Sequence, residues 1–225
     1  MTARVAIYYA PATDDPLYAA STAWLGRDPT TNEPSIQPNI ADIAAITADA
    51  QTYGFHATLK PPMRLAEGRT WNEFLKAATK LGQSLKPFEL PPLAVMDMQG
   101  FLALRETRPS PELQHLADAC IEHLDAFRAP PSDEELARRR RALLAPAQDA
   151  MLVRWGYPYM FETWFFHMTL TRRLTRNEKT RYRPAAEAHF AQATRYPRRV
   201  TDICVFTQPA PGAPFTIAER IPLLG

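Results

Sequence analysis

The chain has 225 residues, with 26 Lys and Arg against 24 Asp and Glu, a formal charge of +2 and a pI near 8.6. That length bounds one large domain or two small lobes, and the mild positive charge accommodates an anionic substrate without demanding nucleic acid. No stretch approaches the roughly 20 apolar residues that span a bilayer. The apolar run after Met1-Thr2-Ala3-Arg4 is too short for a secretory signal, and Cys120 and Cys204 form no CxxC pattern, so the chain reads as a cytoplasmic protein with two free thiols.

With 22 Pro and only 8 Gly, element ends are marked mainly by proline. Val5-Ala6-Ile7-Tyr8-Tyr9 is β-branched and aromatic and reads as a strand closed by Pro11. Asp15-Pro16 reads as a helix cap with Pro at the first helical position, and that helix runs to about Trp24 before Gly26. Residues 27–38 read as a loop. Ile40, Ile43, Ala44 and Thr47 predict a short helix before Gly54, followed by a strand over Tyr53–Lys60 that Pro61-Pro62 ends. Thr70 and Glu73 form a capping box for a helix carrying Trp71, Phe74, Leu75, Ala78 and Leu81. Strands follow at about 88–96 and 100–104.

The second half starts with a helix over Pro111–Phe127. Ser132 and Glu135 cap another helix, expected to reach Leu144. Residues 150–155 predict a strand ended by Gly156-Tyr157-Pro158, and Thr163–Arg172 predicts a longer one. Thr175 and Glu178 start a helix to about Ala193, and strands near 200–206 and 215–221 finish the chain. Each half then reads strand, insert, strand, helix, strand, strand. The expected fold class is α+β. The duplicated order suggests a single bilobal domain over 1–225, with pseudo-symmetric lobes near 1–108 and 109–225 and room for strand exchange between them.

The second strand-like segment of each half carries the same pentapeptide. Phe55-His56-Ala57-Thr58-Leu59 returns as Phe166-His167-Met168-Thr169-Leu170, 111 residues later. With 20 Thr and 22 Leu in 225 residues, finding Thr and Leu at +2 and +3 of two among five histidines is about a one-in-a-thousand accident. Residues i and i+2 of a strand share a face, so each copy offers an imidazole and a hydroxyl to one surface. Two such strands facing each other make a pocket with two acid/base groups and two neutral donors, which suits metal-free cleavage of a phosphodiester. Histidine titrates near neutrality and serves either as base or as acid. By strand parity Lys60 joins His56 and Thr58, while Thr171 and Arg173 join His167 and Thr169. No HExxH or G-x-S-x-G occurs, and neither His56 nor His167 begins an H-x-D, so metalloprotease and serine-hydrolase chemistries lack their motifs around the paired histidines.

The paired H-x-T-L strands resemble the 2H phosphoesterase superfamily, which includes RNA 2′,3′-cyclic phosphodiesterases and RNA ligase-like enzymes. Tyr53-Gly54-Phe55-His56-Ala57-Thr58-Leu59-Lys60-Pro61-Pro62 and Trp155-Gly156-Tyr157-Pro158 are similar to a bacterial branch encoded beside phosphonate-degradation genes. The resemblance implies two α/β lobes, each an antiparallel sheet with outer helices, around a central cleft. It implies His56 and His167 as the catalytic pair, with Thr58 and Thr169 on the phosphate oxygens. It also implies no metal or other cofactor. The expected substrate is a small ribose cyclic phosphate or a nucleotide; RNA ends, end joining and a non-catalytic nucleotide-binding module are the alternatives. A monomer without membrane contact is expected.

Other features are weaker. Arg27 is a candidate anion contact, and Tyr8, Tyr9, Tyr157 and Tyr159 are candidates to stack a base, although strand aromatics more often pack. Arg138–Arg141 follows Asp133-Glu134-Glu135, an order that complements a helix dipole and reads first as a solvated helix face, with a phosphate or RNA contact and a partner surface as the alternatives. His115, His123 and His189 read as structural.

Overall fold

The structure is a computed structural model that describes residues 4–141 and 143–225. Its largest sheet is built around β1 (Arg4–Tyr9), whose alternation is strict. Val5, Ile7 and Tyr9 enter the main core, while Ala6, Tyr8 and Ala10 face the other way with Cys204, Phe206 and Phe215. β1 lies between β2 (Ala57–Met63) and β8 (Asp202–Gln208), and β9 (Thr216–Pro222) completes the antiparallel order β2-β1-β8-β9. A second antiparallel sheet holds β4 (Leu93–Asp97), β5 (Leu102–Glu106) and β6 (Met168–Thr169) in that order. β3 (Phe88–Leu90) pairs with β7 (Arg198–Val200). Both larger sheets take strands from both halves of the chain, so a cut at residue 108 separates hydrogen-bonded partners.

Seven helices cover these sheets among the described residues: α1 (Pro16–Leu25), α2 (Ile43–Tyr53), α3 (Trp71–Ser84), α4 (Pro111–Leu124), α5 (Asp133–Arg140), α6 (Pro146–Trp155) and α7 (Arg176–Phe190). The capping boxes at Thr70/Glu73, Ser132/Glu135 and Thr175/Glu178 all form. This is the α+β class with antiparallel sheets that the sequence predicts. No helix is long and apolar enough to cross a membrane. Both cysteines are buried free thiols.

Two expected elements differ. Residues 150–155 lie in α6, a helix, because Pro146 occupies its first turn and Gly156 closes it in the left-handed conformation. A short apolar run cannot be assigned to helix or strand by periodicity alone, and here the flanking residues decide. The strand expected over Thr163–Arg172 pairs only at Met168 and Thr169, since β5 offers partners only at Ala103 and Leu104. The expected parallel of element order between the halves therefore fails at its first strand. The helix from Ser132 also stops at Arg140, short of Leu144.

The main core runs through both sheets, with Trp24, Leu59, Phe74, Leu104, Met168, Phe190 and Val205 in one cluster. Burying each such side chain contributes roughly 1.5–3 kcal/mol. The outer residues of both pentapeptides, Phe55, Leu59, Phe166 and Leu170, belong to it. The histidines and threonines between them are only half-buried. Core packing of F and L thus turns H and T outward, as strand alternation requires.

Candidate active site

Both motifs lie on edge strands, β2 of the first sheet and β6 of the second. The Trp164 indole N–H donates to the Thr58 carbonyl at 2.9 Å and ties one to the other. The Trp24 indole similarly donates to the Leu170 carbonyl at 3.0 Å. His56, Thr58, His167 and Thr169 line one cavity of about 470 Å³, with Arg4, Tyr8, Tyr53, Pro61, Pro62, Arg138, Arg139 and Tyr157. No Asp or Glu is among its lining residues.

The two imidazoles are anchored in the same way. His56 Nδ1 lies 2.8 Å from the Gly54 carbonyl and His167 Nδ1 lies 3.2 Å from the Phe165 carbonyl. A carbonyl only accepts, so Nδ1 carries the hydrogen in each neutral ring and Nε2 is left as the reactive nitrogen. Thr58 Oγ1 is 3.3 Å from His56 Nε2. Gly54 has φ +76° and ψ 166°, a backbone region almost reserved for glycine. A Cβ there would also sit 2.9 Å from Pro29 Cβ. The glycine is therefore part of how His56 is aimed.

Burial lowers the pKa of both histidines. His56 is taken from 6.5 to about 4 by burial, offset in part by the Gly54 carbonyl, with His167 adding a small lowering. His167 is lowered by burial, and Arg105 adds to this. The burying groups are aromatic. Tyr8 stacks on His56 with ring centroids 3.7 Å apart, and Phe165 and Phe101 flank His167 at 4.8 and 5.9 Å. Tyr8, expected as a candidate to stack a base, is instead buried with its ring face against the imidazole. Of the other tyrosines, Tyr157 lines the cavity, Tyr159 lines a small adjoining one, and Tyr9 is in the core.

Four expected contacts do not reach the cavity. Parity fails for Lys60 because β1 pairs Tyr8 with Thr58 but Ile7 with Lys60, skipping Leu59. This bulge turns Lys60 onto the helix side, where its Nζ is buried 3.1 Å from Asp125 and donates to the Ile121 carbonyl. Thr171 is buried, and its Oγ1 accepts from the Leu102 N–H at 3.0 Å where the β6 ladder ends. Arg173 donates to the Gln99 carbonyl at 2.9 Å. Arg27 is buried and donates to the carbonyls of Gln51, Thr52 and Phe215, so it fixes the end of α2 that leads into Gly54. His189 is structural in position, its Nε2 2.8 Å from the Ala20 carbonyl.

Conversely, Arg4 and Tyr53 line the cavity without having been expected there, and Arg138 and Arg139 join them, the alternative to the solvated face that the sequence reads first. Arg4 shares strand parity with Tyr8, a usable signal. Nothing local marks the face of α5 that holds Arg138 and Arg139.

Residues 58–216 match the family described as "Protein of unknown function (DUF1045)". The chain belongs to the DUF1045 family. The family match includes His167 and Thr169 and begins at Thr58. Two curated proteins are also similar, both carrying the name ribose 1,5-bisphosphate phosphokinase PhnN. That of Janthinobacterium sp. (strain Marseille) is 42% identical over 99% of this chain and 51% of its own length. That of Laribacter hongkongensis (strain HLHK9) is 34% identical over 98% and 52%. The chain therefore spans about half the length of these relatives. Among solved structures, a phosphoesterase overlaps with 14% identity and a TM-score of 0.44, covering 100% of both chains. E. coli LigT complexed with NADP+ overlaps with 15% identity and a TM-score of 0.44, covering 100% of this chain and 99% of its own. At TM-scores this low, neither overlap carries an argument.

Proposed function

We propose that this DUF1045 protein hydrolyses a cyclic phosphodiester on a small ribose phosphate or nucleotide, with His56 and His167 as acid and base. The observation that carries this reading is the pair of imidazoles, each pinned through Nδ1, opening with a threonine into one carboxylate-free cavity. One neutral Nε2 takes a proton from water as its oxygen attacks phosphorus. The bond from phosphorus to the ring oxygen breaks, and the other imidazole, protonated, gives its Nε2 proton to that leaving oxygen. The products are a phosphomonoester and a free hydroxyl. Thr58 and Thr169 donate to the non-bridging oxygens as charge builds there. The lining offers two imidazoles and no carboxylate or thiolate, whereas a bound zinc takes three or four such ligands, so the donor set suits a metal-independent reaction.

The relatives' name supports a ribose phosphate as substrate class. The chain's eight glycines include no G-x-x-x-x-G-K-[ST] loop, so its sequence does not offer the phosphoryl transfer in that name. The phosphonate-gene resemblance suggests phosphonate breakdown as the setting. A nucleotide or a cyclic RNA end is the second reading. It is favoured by Tyr53, a cavity-lining ring that is 39% exposed and able to stack a base.

The test is hydrolysis of a panel of cyclic phosphates in EDTA by the wild type, His56→Ala and His167→Ala. Turnover should resist EDTA, and each substitution should cost at least about 100-fold in kcat/KM. Turnover surviving both substitutions overturns the mechanism, and binding without turnover points to a nucleotide-binding module.

A further inference from the structure

We propose that Arg4, Arg138 and Arg139 form a subsite for a terminal phosphomonoester, so that the preferred substrate is a small cyclic phosphodiester bearing a second phosphate. This inference rests on the hydrolysis proposed above and specifies its substrate class. Three guanidiniums and no carboxylate line the cavity, in a chain whose net charge is only +2. The lining of this cleft thus carries three permanent positive charges and no negative one.

These arginines also differ from their neighbours. Arg140, next on α5, is paired with Asp149 at 2.7 Å. Arg64 is paired with Glu135, and Arg128 with Asp125. Arg138 and Arg139 make no ion pair or side-chain hydrogen bond with any described residue, and Arg4 donates only to neutral Gln208, through Nε at 2.7 Å. The Arg139 guanidinium lies 4.8 Å from the centre of the Tyr157 ring, which orients it, and the Arg4 guanidinium lies 5.4 Å from that of Phe215. Adjacent unpaired cations in a half-closed site repel one another until an anion completes them.

The charge of the anion follows from the division of labour. A cyclic diester carries one negative charge, which the imidazolium and the two threonines already meet. A phosphomonoester carries about −1.5 to −2 near pH 7 and offers three acceptor oxygens. Planar guanidinium forks match those oxygens in pairs, and the other diester of an RNA backbone would supply only one further charge.

The test compares two substrates, ribose 1,2-cyclic phosphate with and without a 5-phosphate. The wild type should favour the 5-phosphorylated compound by at least about 100-fold in kcat/KM. In the Arg138→Ala/Arg139→Ala variant, with its fold checked by circular dichroism, that ratio should fall below about tenfold. Arg139→Lys keeps the charge but loses the fork and should lie between. Equal turnover of the two substrates by the wild type overturns the subsite and leaves the hydrolase reading standing. A cyclic-ended oligonucleotide turned over faster than either overturns the small-molecule assignment. If neither substrate is hydrolysed, the hydrolase reading fails by itself, and calorimetry with ribose 5-phosphate decides the subsite. Binding that the arginine substitutions abolish supports it, and no binding to the wild type overturns it.

Discussion

The two pentapeptides hold the same side chains in different surroundings. Just before β2, His56 lies flat on Tyr8 and hangs from Gly54, a residue whose backbone conformation only glycine adopts readily. Beside β6, His167 is boxed by Phe165 and Phe101, hangs from an ordinary residue, and feels Arg105. Motif and strand alternation set the direction of Nε2 in both cases. The neighbours, drawn from other parts of the chain, set how readily each nitrogen holds a proton. A repeat in sequence thus gives a matched pair in aim and an unmatched pair in proton affinity, which is what a reaction needing one acid and one base requires.

The sharpest way to break this comparison is the double variant His56→Ala/His167→Ala. Because the two act as one unit, it should lose little beyond the 100-fold or more of either single change, and multiplicative losses would show independent roles. Gly54→Ala comes next. It should lower kcat by about tenfold and cost about 1–3 kcal/mol in urea unfolding, since the Gly54 carbonyl must move. An unchanged kcat would separate the glycine from the aim of His56.

The pH dependence sharpens the comparison further. With both pKa values below 6.5, both rings are neutral at pH 7 in the free protein, and one must gain a proton to act as acid. kcat/KM should therefore rise as pH falls from 8 and reach its maximum below about 6.5. Bound phosphate favours the imidazolium, so the kcat profile should lie to the alkaline side of it. Tyr8→Leu should uncover His56 to water and raise its pKa from about 4 toward 6.5, read by NMR titration, while His167 stays in place. The smallest effect on activity belongs to Lys60→Ala. It should cost about 1–3 kcal/mol of stability through the Asp125 pair yet change kcat/KM by less than about threefold. A large loss of activity would return Lys60 to the substrate.

Much of the site was legible because its determinants are short in range. The periodicity of F-H-x-T-L needs only that F and L find a core, and the capping boxes need only their own four residues. Parity arguments failed where a ladder is irregular. The bulge at Leu59 reverses Lys60, and the two-residue β6 releases Thr171 and Arg173. Both faults come from strand pairing, to which the partner strand contributes as much as the motif. Residues 150–155, expected as a strand, belong to the helix Pro146–Trp155, because a short apolar run satisfies either period.

The sequence by itself determined the α+β class, the two histidine–threonine faces and the absence of a CxxC pattern from its two cysteines. Those features depend on local alternation, composition and capping. Only the tertiary structure decided that both motifs open on one cavity, that Arg27 is a clamp and not a ligand, and that Arg138, still exposed, and half-buried Arg139 line that cavity. Each of these depends on contacts between residues up to 188 positions apart, such as Arg27 with the Phe215 carbonyl. The energy of such contacts comes from burial and pairing, and no local pattern in the chain encodes which partner will be met.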